Sequence, residues 1–199
     1  TPRTDGFVAE LAARDGSRRW SQTFGGKLDD SVVGVTIDGA GRVAVAASVR
    51  DVVKFGITEL VARGDADGAV GWWSKDGQPG AAILLGGPEV DGVRAIAAAG
   101  SSVVVGGFFS GTIRLGARKL TAGGGDDAFL AAFDHGASAG TWAVTGEGRE
   151  EIAALASVPG GIVAGITHTA RADIEGAALA APKDPMSGAA LVIRAVGGR

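Results

Sequence analysis

Asp127-Ala128-Phe129-Leu130-Ala131-Ala132-Phe133 is an apolar, strand-like run that decides the fold, because three similar runs lie at regular distances from it. These are Asp5–Leu11, Asp67–Trp73 and Ser187–Ile193, so the four runs begin at positions 5, 67, 127 and 187. Self-similarity at a fixed period is the sequence signature of a repeat architecture. We therefore predict three tandem units of roughly 60 residues and the first strand of a fourth.

Further landmarks recur with the same period. A glycine pair stands at Gly25-Gly26 and Gly86-Gly87, with Gly146-Glu147 as its third copy. A valine-rich run recurs at 42–46, 102–106 and 161–165. A turn recurs at Phe55-Gly56, Leu115-Gly116 and Glu175-Gly176. The landmarks predict one repeat domain over residues 1–199. Its units lie at approximately 5–66, 67–126 and 127–186, with a partial unit at 187–199.

The first unit contains four segments that are typical of β-strands. They are four to eight residues long, rich in Val, Ile, Phe or Trp, and bounded by Gly or Asp: Phe7–Leu11, Arg18–Phe24, Val32–Ile37 and Arg42–Val49. The short connections between them favour antiparallel neighbours, since a parallel crossover needs a dozen residues or more. Alanine-rich stretches at 95–99 and 152–157 favour helix locally. They fall in phase with Val32–Ile37, so we predict strands there too.

Four short antiparallel strands in each unit, repeated around an axis, are typical of β-propeller blades. We therefore predict an all-β fold of propeller-type repeats with four-stranded antiparallel blades, about three blades plus one strand. Small residues such as Gly34, Ala95 and Ala154 suit the crowded strand nearest a propeller axis. A β-sandwich and a β-solenoid remain as alternatives.

The composition narrows the classes of function. The net charge of −3 argues against nucleic acid as the main partner, because such partners usually need a basic face. No apolar run is long enough to predict a transmembrane helix, and the first residues, Thr1–Gly6, do not form a signal peptide. The chain has no cysteine, which excludes disulfides, thiolate catalysis and cysteine-ligated zinc. No motif predicts a metal or another cofactor.

The order of these landmarks resembles a known family. An Asp-Ala-Phe-Leu-Ala-Ala-Phe run is followed by a tryptophan strand, Gly-Gly, an acidic turn, a valine-rich strand and Phe-Gly or Leu-Gly. This order resembles the bacterial SBBP-type (seven-bladed) β-propeller repeats, over nearly the whole chain. The clearest copies are Asp5–Ala47 and Gly106–Thr145. The resemblance implies a secreted or cell-surface bacterial protein, extracellular or in the cell envelope, and it implies fold far better than function.

Three units and one strand are too few to close a ring, since propellers typically have four to eight blades. Two explanations follow. The chain is part of a larger propeller that supplies the remaining blades, or two copies associate as a homodimer of six or seven blades. Both predict a large apolar surface at the ends of the array.

Acidic residues after the glycine pair keep the period. Asp30, Asp91 and Glu151 precede the predicted innermost strand, so we expect them around the mouth of the central channel, with Arg94 close by. Grouped carboxylates there would hold a cation or a basic group. The alternative is that each carboxylate accepts hydrogen bonds from the backbone of its own turn, as a structural element of the repeat.

The tryptophans offer a second candidate site. Trp72 and Trp73 are adjacent in a strand, so one indole points to each face and one of them is expected to be an exposed aromatic platform. Trp20 and Trp142 are in phase, with Ile83 between them, which favours a packing role for that position.

Three hypotheses about function follow. The first is a non-enzymatic binding and interaction scaffold whose partner is a protein or a glycan. The second is a lectin-like carbohydrate-binding propeller, which needs an exposed aromatic in each blade. The third is a lyase or hydrolase with a site at the channel mouth, which needs clustered histidine, arginine and carboxylates. The two histidines, His135 and His168, belong to different landmarks, so a catalytic cluster has little support.

Overall fold

In the computed structural model of the chain, which describes residues 4–182 and 188–193, every helix or strand element is a β-strand. The strands are, in chain order, β1 (Gly6–Leu11), β2 (Arg18–Gly26), β3 (Ser31–Ile37), β4 (Val43–Val49), β5 (Val52–Phe55), β6 (Thr58–Val61), β7 (Asp67–Trp73), β8 (Pro79–Leu85), β9 (Gly92–Ala99), β10 (Ser102–Phe109), β11 (Thr112–Leu115), β12 (Arg118–Thr121), β13 (Asp127–Asp134), β14 (Ala137–Gly146), β15 (Glu150–Val158), β16 (Gly161–His168), β17 (Ala172–Ile174), β18 (Ala177–Leu179) and β19 (Gly188–Ile193).

The strands form antiparallel sheets. The first sheet has the order β1-β2-β5-β6, the second β3-β4-β7-β8, the third β9-β10-β13-β14-β17-β18 and the fourth β15-β16-β19. The hairpin β11–β12 contacts β8 at the outer edge of the second sheet. The prediction of an all-β fold with four-stranded antiparallel sheets is confirmed. The alanine-rich stretches at 95–99 and 152–157 are strands, in β9 and β15.

Each complete sheet joins strands from both sides of a predicted unit boundary. In the second sheet, β4 pairs with β7, and Ala46 lies opposite Val70. In the third, β10 pairs with β13, and Val105 lies opposite Ala131. The β4–β7 and β10–β13 pairs therefore hold neighbouring 60-residue segments together by backbone hydrogen bonds.

The sequence prediction missed a hairpin in each 60-residue segment. These hairpins are β5–β6, β11–β12 and β17–β18. Along Val52–Val61 the more buried and the more exposed side chains alternate on both sides of a turn, the pattern of a half-buried hairpin. The turn needs a left-handed residue, which Gly56 (φ 59°) and Gly116 (φ 62°) supply. The Phe-Gly and Leu-Gly landmarks thus mark the tips of these hairpins.

The glycine pair is explained by the same hairpins. A Cβ on Gly26 would collide with the carbonyl oxygen of Val52, and a Cβ on Gly87 with that of Thr112. Only glycine lets the backbone of the outer hairpin come so close. In the third segment Gly146 takes this place against Arg171, so the landmark is Thr145-Gly146, one residue earlier than the sequence reading.

The core lies between the sheets, which stack face to face in chain order. One apolar cluster joins the first and second sheets, another the second and third, and a last one the third and fourth. The first strands of the later sheets, β3, β9 and β15, lie side by side, since β9 contacts both others. Residues that start these strands therefore lie close to the junctions between sheets.

Candidate functional site

Asp30 and Asp91 are buried at the starts of β3 and β9, where their carboxylates tie loops together. Asp30 accepts backbone hydrogen bonds from Gly26 (2.9 Å) and Arg50 (3.0 Å). Asp91 accepts them from Gly87 (2.5 Å) and Ser110 (3.0 Å). Both carboxylates thus accept hydrogen bonds from backbone N–H groups, as expected for the alternative in which they serve the repeat and not a ligand.

Glu150, and not Glu151, takes the corresponding place before β15. Its backbone N–H donates to the carbonyl of Asp126, as Asp91 donates to Ala66. Glu150 is buried, whereas the side chain of Glu151 is exposed. The sequence spacing placed Glu151 in line with Asp30 and Asp91, which is one residue too late. The third segment is one residue shorter between Asp127 and this loop than the repeat period suggested.

Glu151 and Arg94 do meet, across a cleft between the third and fourth sheets. Arg94 Nε lies 3.4 Å from Glu151 Oε2, and its guanidinium stacks on the ring of Phe108, 4.5 Å from the centroid. The cleft has a volume of about 320 Å³. We call it the arginine cleft; its lining is Arg94, Phe108, Asp126, Arg149, Glu150, Glu151, Thr167 and Thr169.

The second guanidinium of the cleft is held by Asp126. Arg149 Nε donates to Asp126 Oδ2 at 3.0 Å, and its Nη2 contacts the same oxygen. Ser110 donates a further hydrogen bond to the other oxygen of Asp126, at 2.7 Å. Burial opposes ionisation of Asp126, but these donors outweigh it and hold the pKa of Asp126 below its usual value. Each arginine therefore has a carboxylate partner in place, and the cleft carries balanced charge.

A buried acid with a strongly raised pKa, Glu150, lines the arginine cleft. Burial raises the pKa of Glu150 to about 7, and the neighbouring carboxyl of Asp127 adds to the rise. Asp127 is itself buried and accepts backbone hydrogen bonds from Gly123 (2.8 Å) and Gly146 (3.2 Å). The two acids therefore hold a proton up to neutral pH, because both cannot be charged in a buried site without cost.

This pair predicts how stability depends on pH. An acid whose folded pKa lies above its unfolded value stabilises the fold at low pH, and this stabilisation is lost as pH rises from the unfolded value, near 4.5, to about 7. The wild-type free energy of unfolding should therefore fall between pH 5 and pH 8. In Glu150→Gln the fall should be smaller by about 2 kcal/mol. Urea unfolding at both pH values measures it.

The matched control for Glu150→Gln is Glu151→Gln, which removes the neighbouring, exposed carboxylate. Its unfolding should follow the wild-type pH dependence. The same pH-dependent loss in Glu150→Gln and in the wild type would contradict the assignment of this proton to the Glu150–Asp127 pair.

Trp72 and Trp73 are both buried, so the prediction that one of them is an exposed platform is wrong. The second sheet, which carries both residues, has a packed neighbour on each side. The ring centroid of Trp72 lies 6.1 Å from that of Phe133, and the centroid of Trp73 lies 6.1 Å from those of Phe24 and Phe55. Trp20 and Trp142 are not equivalent either. Trp142 lies opposite Leu130 in its sheet, whereas Trp20 lies opposite Glu10.

An exposed apolar surface lies on the first two sheets, where the sequence predicted an open end. We call it the N-terminal face; it comprises Phe7, Leu11, Val32, Val35 and Ile37. Leu11, Val35 and Ile37 line one groove of about 870 Å³, together with Trp20.

The exposed positions of the N-terminal face are buried in the interior sheets of the array. Phe7 is 69% exposed, whereas Phe129 occupies the same place in β13 and is fully buried (0%). Val32 is 44% exposed, whereas its counterparts Val93 and Ile152 are at 0%. The same strand positions are thus core positions wherever a further sheet packs on them.

In the described part of the chain, no helix is long and apolar enough to cross a membrane. Among the same residues, no three His, Asp or Glu side chains are grouped to hold a metal ion. His168 is buried, with Nδ1 2.9 Å from the carbonyl oxygen of Ala170, while His135 lies in an exposed turn beside Asp134. The two histidines do not share a site.

No model of a known protein family matches this chain, and no curated protein matches it. The resemblance to SBBP-type repeats therefore stays a prediction from the residues quoted above.

Proposed function

We propose that this chain is a non-enzymatic interaction scaffold built of β-propeller repeats of the bacterial SBBP type. Stacked antiparallel sheets support this reading, as do the neighbouring first strands β3, β9 and β15, which suit the inner strands of blades. The resemblance further supports a place outside the bacterial cell or in its envelope.

The observation that carries the proposal is the N-terminal face. Monomeric proteins rarely expose contiguous apolar patches unless they serve binding. β1 borders this face and, among the described residues, pairs on one edge only, with β2. A free strand edge beside an apolar groove is a site where an extended polypeptide adds to a sheet. We therefore infer that the partner is a polypeptide that contributes β-strands.

The lectin-like and enzymatic alternatives have less support. Phe108 is the aromatic ring of the arginine cleft, and the guanidinium of Arg94 covers it, so its face is not free to stack on a sugar. The carboxylates Asp126 and Glu151 are each engaged by an arginine. The arrangement is that of a junction held by ion pairs.

A peptide with the sequence of residues 150–168 tests the proposal. This segment forms β15–β16, and β16 pairs with β19 at the place that β1 leaves unpaired in its own sheet. The labelled peptide should bind the monomeric chain with a Kd of roughly 0.1 mM, because a free two-stranded hairpin must order on binding. Fluorescence anisotropy measures the affinity.

Val35→Asp should weaken peptide binding at least about tenfold, because it places a charge in the apolar groove. The matched control is Ile57→Asp, an exposed apolar position at the tip of the β5–β6 hairpin, which should leave the affinity unchanged. If the monomeric chain does not bind the peptide saturably, or if wild type and Val35→Asp bind it equally, the N-terminal face is not a polypeptide site.

A further inference from the structure

The first and fourth sheets are incomplete in complementary ways. In the complete third sheet, β9 and β10 are followed by β13, β14 and an outer hairpin. The fourth sheet has the equivalents of the first three strands, β15, β16 and β19. The first sheet has the equivalents of the last four, β1, β2, β5 and β6. β1 and β19 therefore occupy the same place, and among the described residues each lacks the neighbours that the other has.

We propose that a second copy of this chain covers the N-terminal face by strand exchange, with β1 of one copy replacing β19 of the other beside β16. This rests on the proposed function, since it names the polypeptide that the face receives. The exchanged sheet has the order β15-β16-β1-β2-β5-β6, with the last four strands from the partner. It has the six strands of the complete third sheet.

The observed register fixes how the exchanged strands pair. Thr167 lies opposite Gly188 and Ile162 opposite Ile193 in the β16–β19 pair. β1 and β19 both begin with glycine and have six residues. The exchange therefore sets Gly6 of one copy opposite Thr167 of the other, and Leu11 opposite Ile162. Ala9 then lies opposite Ala164, the two small residues at the centre of the pair.

The exchange replaces the β16–β19 pair by a β16–β1 pair, so β19 leaves its place while a larger group of strands enters. β16 exchanges one six-residue neighbour for another, but β1 brings β2 and the β5–β6 hairpin with it. The strands β15–β16 cover the groove at Leu11, Val35 and Ile37, which the first sheet leaves open. Apolar area leaves water at both junctions of the dimer, and this gain drives the association.

The exchange also closes the array. Each copy keeps its second and third sheets whole, and each of two junctions forms one shared sheet, so the dimer has six sheets. Six lies within the four to eight blades of closed propellers. The interface is isologous, because each copy donates the same sheet and receives at the same strand.

The mass in solution tests the association. The chain of 19.6 kDa should give a species of about twice that mass by light scattering at micromolar concentration. Val35→Asp should shift this species to the monomer mass, and the control Ile57→Asp should not. Circular dichroism of both variants shows that they remain folded. A wild-type mass of 19.6 kDa at all accessible concentrations would overturn the inference.

The lack of cysteine in the chain allows a direct test of the register. Ala9→Cys and Ala164→Cys, made in separate chains and mixed under oxidising conditions, should form a disulfide-linked heterodimer. Ile57→Cys mixed with Ala164→Cys is the matched control and should not, since residue 57 lies at the tip of an outer hairpin. Equal cross-linking of the two mixtures would overturn the exchange.

The two proposals fail in different ways. A monomer that still binds the 150–168 peptide at the N-terminal face overturns the strand exchange and leaves the interaction scaffold standing, with another polypeptide as its partner. A monomer that does not bind the peptide overturns both. A dimer whose mass is unchanged by Val35→Asp places the interface elsewhere and overturns the exchange alone.

Discussion

Replacing Trp73 with alanine is expected to lower the free energy of unfolding by about 3–5 kcal/mol. The indole lies in the cluster between the first two sheets and contacts Phe24 and Phe55, which stack on each other with centroids 4.5 Å apart. Alanine would leave a cavity beside the two rings, and β7 is held in place because it pairs with β4 on one edge and with β8 on the other. Urea unfolding at constant pH measures the loss.

Trp73→Phe is the matched control for this cavity. The indole N–H is buried without a hydrogen-bond partner among the described residues, so phenylalanine removes an unsatisfied donor while it keeps a ring in place. We expect a loss below about 1.5 kcal/mol. If Trp73→Ala unfolds at the wild-type urea concentration, the packing of the first two sheets described above is wrong.

The fold class could be predicted because local signals agreed. Runs such as Val43–Val49 contain β-branched valines, are short and are bounded by turns, and such runs favour strands. The outer hairpins were missed because Val52–Val61 is exposed on one face and carries Lys54 and Glu59, which make it look like a loop. A period of two across a central glycine was the signal that could have found it.

The candidate site was harder to predict, because a residue's place in a sheet depends on its partner strand. The spacing from the glycine pair in the sequence pointed to Glu151 as the counterpart of Asp91. In the structure, Glu150 starts β15 and lies opposite His168. A one-residue error moves a side chain to the other face, which is the difference between a buried acid and an exposed one. The Trp72-Trp73 prediction failed for a related reason: strand alternation is visible in sequence, but a second packed sheet is not.

The exposed end of the array shows what sequence can predict about interactions. An apolar surface at the ends was expected from the number of units alone, and the N-terminal face agrees with that expectation. The identity of the covering polypeptide needed the strand order, since only the topology reveals that β1 and β19 take the same place. The sequence similarity between β1 and β19 then has a structural meaning, because it lets either strand pair with the edge of β16.

Asp91→Ala is expected to lower the free energy of unfolding by about 2–3 kcal/mol at pH 7. The buried carboxylate accepts hydrogen bonds from Gly87 and Ser110, so it holds the end of β8 to the end of β10. Alanine leaves two N–H groups without their acceptor and opens the loop that leads into β9. Glu89→Ala is the matched control, because Glu89 lies exposed in the same loop and should cost less than about 0.5 kcal/mol.

The cost of Asp91→Ala should also depend on pH, and the sign follows from its ionisation. Burial raises the pKa of Asp91 to about 6, although its two backbone hydrogen bonds oppose the rise. The Asp91 carboxyl therefore contributes a loss of stability as pH rises from about 4 to about 6, and a variant without the carboxyl lacks this contribution. The difference between the two proteins should be larger at pH 5 than at pH 7.5. A larger difference at pH 7.5 would mean that the hydrogen bonds outweigh burial, and that Asp91 is held in place mainly as an anion.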